Sequence, residues 1–282
     1  MTDTAVKSFV TPLFLESKAG PVFAIYYAPK SGDRERSTLI YVPPFAEEMN
    51  RARRMAALQA RVLAASGVGV LLLDFFGTGD SAGDFRDARW QIWLDNISAA
   101  AEWLDRRRVP PSGLWGVRGG ALFATAAAAG HPGRFKYLVL WQPVPDGKTL
   151  LNQFLRIRVA AARLSRELGE TTEKLHAELA AGRPVEIAGY ELSPELAQAL
   201  GGIRMEESAP SPDTHVYWFE VAATAEERLM PAGARVVETW RRKAITVSAR
   251  TVSGEQFWAV EEAAPAPDLI AETARAVEAC LR

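Results

Sequence analysis

Short apolar runs alternate with longer amphipathic segments along most of the chain. Residues 38–42, 68–74 and 137–141 are almost wholly apolar, which is typical of strands buried on both faces of a sheet. Residues 51–66 and 90–108 repeat apolar side chains at helical spacing, which predicts amphipathic helices. Strands that alternate with such helices favour parallel pairing through right-handed crossovers. The pattern predicts an α/β fold with a mostly parallel central sheet, flanking helices and a helical cap insertion.

Two regions depart from this alternation. Residues 8–15 and 22–27 are β-rich and are separated by a Gly-Pro turn, which predicts an antiparallel hairpin at the sheet edge. Between residues 146 and 212 helical segments replace the alternation, and the β/α pattern resumes afterwards. We therefore expect a core formed by residues 1–145 and 213–282, interrupted by a helical cap at residues 146–212.

The most informative motif is a tight glycine turn between an apolar run and an alanine-rich helix. Gly116 and Gly120 flank Arg118 with the spacing of a nucleophile elbow, G-x-S-x-G, in which a strained turn holds the middle side chain above the sheet. An arginine side chain stays protonated and offers hydrogen-bond donors but no lone pair for attack. The sequence therefore excludes serine-type acyl transfer from this position.

The order of elements, the elbow and the D-x-x-G-x-G-x-S run from Asp74 to Ser81 together resemble an α/β-hydrolase over most of the chain. A more specific resemblance is to the exosortase A system-associated hydrolase 2 family, bacterial α/β-hydrolase-like proteins associated with exopolysaccharide and protein-sorting loci. It rests on the strings at residues 41–50, 141–144, 153–156 and 188–193. This resemblance implies the α/β-hydrolase fold and a genomic neighbourhood, and fold alone does not establish chemistry.

A serine triad also requires an acid and a histidine, in the chain order nucleophile, acid, histidine. The histidine belongs in the loop after the last strand, and residues 253–258 at that place contain none. Glu220 and Glu226 are available at the acid position, where they have no histidine to orient.

The three histidines of the chain lie elsewhere in the predicted fold. His131 ends the helix that starts at the elbow, so it lies roughly 15 Å or more from the tip at 1.5 Å per residue. His215 begins a strand and belongs to the opposite end of the sheet. His176 is the one that could hang over the site from the cap, although we expect a solvated position on a cap helix.

Arg118 admits two interpretations. The tip of the elbow is a helix N-terminus, where free N–H groups and the helix dipole favour an anion, so Arg118 could hold a small anionic or acyl ligand bidentately. Alternatively, Arg118 forms an internal salt bridge with Glu47 or Glu48, which we expect in the loop after the strand at residues 38–42. The residues expected to bind a ligand are Arg118, Gly119, Phe45, Gln142, Gln256 and Trp258.

Three functional hypotheses follow. The leading one is a non-catalytic or accessory binding protein. The second is an ester or thioester hydrolase that uses a carboxylate-activated water, with Glu47, Glu48 or Asp80 as the base and Arg118 as the oxyanion stabiliser. The third is a scaffold that contacts a partner or a second copy through the cap, which requires an exposed apolar face on residues 151–168.

Two polar groups have simpler explanations. We expect Asp80 and Ser81 to form a structural turn. We expect Arg51, Arg53 and Arg54 to form a solvated helix face, with reception of an anionic partner as the alternative.

Composition narrows the classes further. The chain has 282 residues, of which 48% are hydrophobic and 24% charged, as in globular proteins with a sizeable core. A net charge of -1 gives no reason to expect nucleic acid as a partner. The single cysteine, Cys280, excludes a disulfide framework and fits a reducing compartment. No apolar run approaches the roughly 18 residues of a membrane span. We expect a cytoplasmic protein with no metal and no cofactor. A dinucleotide in particular is not expected, because G-x-G-x-x-G is absent after the first strand.

Overall fold

A computed structural model describes residues 10–29, 37–109, 111–165, 169–225, 228–260 and 265–281. Eight of the described strands form one sheet in the order β1-β2-β4-β3-β5-β6-β9-β10, and β7 and β8 form a separate hairpin. The strands are β1 Val10–Leu15, β2 Val22–Tyr27, β3 Ser37–Val42, β4 Val68–Leu73, β5 Gly113–Val117, β6 Tyr137–Trp141, β7 Val185–Ile187, β8 Tyr190–Leu192, β9 His215–Ala222 and β10 Val247–Ser253.

The sheet is mostly parallel, as predicted. From β4 to β10 every neighbouring pair of strands runs parallel. Strand β1 pairs antiparallel with β2, and β2 pairs antiparallel with β4, so the predicted hairpin lies at the edge of the sheet. Residues 8 and 9 of the predicted first strand lie outside the described residues.

Helices cover both faces of the sheet. In the described residues they are α1 Glu47–Ala65, α2 Trp90–Arg106, α3 Gly120–Gly130, α4 Gly147–Leu164, α5 Thr172–Ala180, α6 Pro194–Gly202, α7 Pro231–Arg242 and α8 Pro267–Ala279. Helices α1 and α8 pack on one face, and α2, α3 and α7 pack on the other. Large aromatic side chains such as Trp115, Trp141 and Trp218 are fully buried in the two cores. This arrangement brings the carboxyl ends of the parallel strands to a common edge.

Helix α1 begins at Glu47, one turn before the predicted start at Arg51. The prediction missed this turn because Ala46, the residue before the helix, has no side chain that could cap it. Glu47 and Glu48 therefore lie in the first turn of α1 and not in a loop. Acidic side chains interact favourably with the helix dipole at that position.

Residues 146–212, which the sequence predicts as an insertion and which are called the insertion segment below, contain α4, α5, α6 and the hairpin β7–β8. The sequence predicts only helices here, because strands of three residues carry too little periodicity to detect. Ala188 and Gly189 have φ values of 50° and 84°, as the tight turn between the two strands requires.

Helix α4 turns its apolar side against the rest of the protein. Its buried residues include Leu150, Leu151, Phe154 and Leu155. In the described part of residues 151–168, Leu164 alone is an exposed large hydrophobic residue. The continuous apolar face that the scaffold hypothesis requires is therefore not found on the described part of this helix.

Candidate functional site

The glycine turn between β5 and α3 has the predicted elbow geometry. Arg118 at its tip has a φ of 52°, in the left-handed region that non-glycine residues rarely adopt. A Cβ atom on Gly120 would lie 2.3 Å from the carbonyl oxygen of Pro43, and one on Gly116 would lie 2.7 Å from Cα of Ala121. Both flanking positions thus require glycine, and the strained turn holds Arg118 at the carboxyl edge of the sheet.

Arg118 is held by three side chains. Its Nε and Nη2 donate hydrogen bonds to Oε1 of Glu48 at 3.1 and 3.0 Å. Its Nη2 also donates to Oε1 of Gln153 on α4 at 2.9 Å. The guanidinium lies 5.2 Å from the centre of the Trp258 ring, within cation–π distance. The predicted internal salt bridge therefore forms, with Glu48 as its partner.

The two glutamates of the first turn of α1 are perturbed by burial. Burial raises the pKa of Glu47 to about 7, and the neighbouring Glu48 charge adds to the rise. Burial also raises the pKa of Glu48, while the Arg118 guanidinium offsets part of that rise. The Oε2 atoms of both carboxyl groups are buried without a hydrogen-bond partner among the described residues. Buried polar atoms usually have a hydrogen-bond partner, so these two oxygens indicate a polar site whose hydrogen bonds the described residues do not complete.

A cavity of about 290 Å³ adjoins these groups. It brings together Arg118, Phe45, Gln256 and Trp258 from the predicted ligand-binding set, together with Glu47 and Glu48. The predicted ligand-binding set does not include its other members: Arg51, Leu150, Gln153, Phe154, Ile157 and Ala259. The described lining residues include no serine, cysteine or histidine.

Two predicted ligand-binding residues lie outside this lining. The amide of Gln142 is engaged internally, since its Oε1 accepts a hydrogen bond from the Val221 backbone N–H at 2.6 Å and its Nε2 donates to Met230 Sδ. Gly119 is packed closely, because a Cβ atom there would lie 2.8 Å from Leu150. Neither residue therefore lines this cavity, because a position next to the elbow does not determine which way a residue faces.

The turn after β4 is structural. Asp74 accepts hydrogen bonds from Arg53 at 2.8 Å and from the Asp80 backbone N–H at 3.2 Å. Ser81 donates to the Asp74 backbone oxygen at 2.6 Å and accepts from the Phe23 N–H at 2.8 Å. Asp80 itself is exposed and does not line the cavity, so the structure does not support it as a base.

Of the predicted solvated face of α1, Arg54 is exposed as expected, whereas Arg51 and Arg53 are partly buried. Arg53 pairs with buried Asp74, and Arg51 lines the cavity next to Arg118. With α1 starting at Glu47, Arg51 lies one turn after both glutamates and shares their side of the helix.

The other positions of a serine triad hold residues with different roles. Glu220, near the end of β9, is buried and accepts hydrogen bonds from Trp218 Nε1 at 2.9 Å and from the Met230 N–H at 2.6 Å. Glu226 lies outside the described residues. The loop after β10 brings Gln256 and Trp258 to the cavity, and neither side chain is a base.

No histidine lies among the described residues that line this cavity. His176 bonds Asn152 at 2.7 Å and lines a different cavity, within the insertion segment. His215 bonds Ser248 at 2.9 Å, and His131 bonds the backbone of its own helix.

The described residues contain neither a membrane-spanning helix nor a metal-binding cluster. None of the helices there is long and apolar enough to cross a membrane. No group of three or more histidine, cysteine, aspartate or glutamate side chains there could hold a metal ion.

A mostly parallel eight-stranded sheet with helices on both faces, and a strained glycine turn from a central strand into a helix, define the α/β-hydrolase fold. Solved structures agree with this fold. The chain is similar to Est1E from Butyrivibrio proteoclasticus with bound ferulic acid, at 17% identity over 95% of this chain and 96% of that chain, with a TM-score of 0.68.

It is also similar to a thermostable carboxyl esterase from Bacillus coagulans, at 14% identity over 97% and 99% of the two chains, with a TM-score of 0.66. A third similar structure is XC6422 from Xanthomonas campestris, a serine hydrolase without a lid, at 18% identity over 98% and 94%, with a TM-score of 0.57. Identities this low show the fold alone. No family model and no curated protein matches the chain.

Proposed function

We propose that this protein binds a small anionic or acyl ligand in the cavity beside Arg118 and does not carry out serine-type acyl transfer. One observation carries the proposal: the elbow tip presents a guanidinium to a cavity whose described walls contain no nucleophile–histidine pair. A guanidinium cannot attack an acyl carbon, but it binds carboxylates and phosphates well. The site retains the position of a hydrolase site and changes its chemistry from reaction to binding.

The walls of the cavity suit an apolar body with one anionic end. Phe45, Phe154 and Trp258 are aromatic, and Arg118 and Arg51 are cationic. A volume of about 290 Å³ corresponds to roughly ten water molecules, so the ligand is small. Est1E was solved with ferulic acid, an aromatic carboxylate, so aromatic carboxylates are suitable first probes.

Two assays test this proposal together. A fluorophosphonate probe and a panel of acyl esters and thioesters test for a reactive serine, with an active serine hydrolase treated in parallel as the positive control. We expect no label and no turnover. Calorimetric titration with aromatic carboxylates is expected to show saturable binding. Labelling of a serine accompanied by ester turnover would overturn the proposal.

A second candidate function is hydrolysis by a carboxylate-activated water. It is favoured by Glu47, whose pKa is raised to about 7 by burial and whose Oε2 has no described partner. A carboxylate that titrates near neutral pH suits general-base catalysis, and Arg118 would stabilise the oxyanion. Of the other predicted bases, Glu48 is bound to Arg118 and Asp80 lies outside the cavity. Loss of turnover in Glu47→Gln with an intact fold would favour this candidate, and absence of turnover in the wild type would remove it.

We further infer a place in the exosortase A and exopolysaccharide-associated group, in the cytoplasm, with residues 146–212 as the cap of the site. The strings at residues 41–50 and 188–193 support the group, and the single Cys280 supports a reducing compartment. Exosortase or polysaccharide genes adjacent to this one would support the assignment, and cell fractionation tests the location. Recovery in the membrane or periplasmic fraction would contradict it.

A further inference from the structure

Glu48 occupies the donor atoms of Arg118 that a ligand carboxylate would use. Resting on the proposed function, we propose that Glu48 is a built-in competitor: a ligand carboxylate binds by replacing Glu48 on Arg118, and Glu48 then pairs with Arg51. The site would thus be closed by its own carboxylate until a ligand exchanges with it.

The hydrogen bonds of Arg118 leave no two-donor face available. Planar recognition of a carboxylate uses two parallel N–H groups, either Nε with Nη2 or Nη1 with Nη2. Glu48 takes Nε and one bond of Nη2, and Gln153 takes the other bond of Nη2. A ligand carboxylate therefore has to displace one of these two residues to bind through two parallel hydrogen bonds.

Electrostatics select Glu48 as the residue displaced. While Glu48 stays on Arg118 it neutralises the guanidinium, and an incoming carboxylate would face a like charge. The existing contact is also incomplete, because Oε1 accepts both hydrogen bonds and Oε2 is buried without a described partner. A ligand carboxylate that accepts one hydrogen bond on each of its two oxygens would pair more completely with the same Arg118 donors.

Arg51 offers Glu48 a second place. It lies three residues further along α1, at a spacing that brings side chains together on a helix, and it lines the same cavity. Arg51 makes no ion pair with any residue that the structure describes, although its charge already acts on the carboxyls of Glu47 and Glu48. Glu48 can therefore exchange one guanidinium for another without becoming an unpaired buried charge, which would be costly.

Arg118 keeps its orientation during this exchange. The bond to Gln153 and the contact with the Trp258 ring do not involve Glu48. The strained backbone of the elbow also fixes where the side chain starts. The receptor is thus preorganised, which reduces the cost of binding.

The test is calorimetric titration of benzoate and octanoate into four forms of the full chain. These are the wild type, Glu48→Gln, Arg51→Gln and the Glu48→Gln/Arg51→Gln double variant. Glutamine at position 48 keeps the shape and a neutral acceptor, so the fold is expected to survive, and thermal unfolding checks this. The matched control is Glu102→Gln, an exposed glutamate on α2.

We expect Glu48→Gln to bind the carboxylate about tenfold more tightly, because a neutral bond is weaker than a charge-assisted one and is displaced more easily. Arg51→Gln is expected to weaken binding in the wild-type background and to have a much smaller effect when Glu48 is already glutamine. Glu102→Gln is expected to leave the affinity unchanged.

Failure of this inference can be distinguished from failure of the proposed function. If the wild type binds and Glu48→Gln binds equally or more weakly, the competitor role is wrong and ligand binding stands. If Arg51→Gln weakens binding equally in both backgrounds, Arg51 contacts the ligand directly and the exchange is wrong. If neither the wild type nor Glu48→Gln binds either probe, ligand binding itself is wrong.

Discussion

Two arginine–carboxylate clusters lie near the same edge of the sheet and differ in how completely they are paired. In the closed cluster, Asp74 is bound by Arg53 and the Asp80 N–H, and it has no buried side-chain oxygen without a partner. In the open cluster, Arg118 is bound by Glu48, yet buried carboxylate oxygens remain unpaired next to a cavity. Complete pairing is typical of a structural turn, whereas incomplete pairing beside a cavity is what the proposed ligand site requires.

The largest expected effect is on the open cluster. Arg118→Gln removes the charge and the donor fork, so benzoate affinity should fall about 100-fold, in line with the loss of a buried charged pair. Arg118→Lys keeps the charge without the planar fork, so its benzoate affinity should lie between those of the wild type and Arg118→Gln. Equal affinity in the wild type and Arg118→Gln, measured by calorimetry, would place the ligand elsewhere.

The closed cluster should respond in stability and not in binding. Asp74→Asn is expected to lower the free energy of unfolding by about 2 kcal/mol, because it weakens hydrogen bonds to a buried charged group. Benzoate affinity should be unchanged. The matched control is Asp105→Asn, which breaks a more exposed pair with Arg134 and should cost less than about 1 kcal/mol in urea unfolding. A tenfold loss of affinity in Asp74→Asn would erase the distinction between the clusters.

The raised pKa of Glu47 in the open cluster predicts how the free energy of unfolding of the protein depends on pH. Its pKa is about 7 in the folded protein against an ordinary 4.5, so between these values the unfolded chain gives up the proton first. Stability is thus lost as the pH rises from about 4.5 to about 7.

Glu47→Gln removes this loss. The variant should be more stable than the wild type at pH 8 by about 1 to 2 kcal/mol, below the full value of the pKa shift because the carboxyl is partly solvated. The difference should shrink at pH 5. Urea unfolding at both pH values measures it, and a constant difference would show that Glu47 does not titrate in this range. The titratable and charged groups that face Glu47 are Glu48, Arg51, Arg118 and Tyr190.

The smallest effect concerns the ring beneath the guanidinium. Trp258→Phe keeps an aromatic face but weakens the cation–π contact, so benzoate affinity should fall about threefold. Leu164→Ser, on the exposed end of α4, serves as the control and should change neither affinity nor stability by more than about 0.5 kcal/mol. A larger effect of Leu164→Ser would reveal a role for the surface of the insertion segment.

The sequence predicts the sheet well because buried parallel strands appear as short apolar runs between amphipathic helices. The elbow is predicted equally well, since the close approach of Gly120 to Pro43 admits no side chain. These features depend on local sterics and burial, which leave a signal in the residues themselves.

The walls of the cavity are harder to predict because they depend on where helices begin and how strand ends turn. Because Ala46 provides no capping side chain, the sequence does not indicate that α1 begins at Glu47. It therefore does not predict that Arg51 lies close to both glutamates. Gln142 has a φ of 42°, a backbone turn that directs its amide to β9, and no local pattern reveals it. Gln153 reaches Arg118 across 35 positions of the chain, from helix α4, whose placement only tertiary packing decides.

The most direct test observes Arg118 itself. In a ¹⁵N-labelled protein, the Nε–H resonance of Arg118 is identified by its absence in Arg118→Lys and followed while benzoate is added. A saturable shift of this resonance, with the same midpoint as calorimetric binding, is the predicted result. Saturable calorimetric binding with no movement of the Arg118 resonance would contradict the assignment of this guanidinium as the receptor.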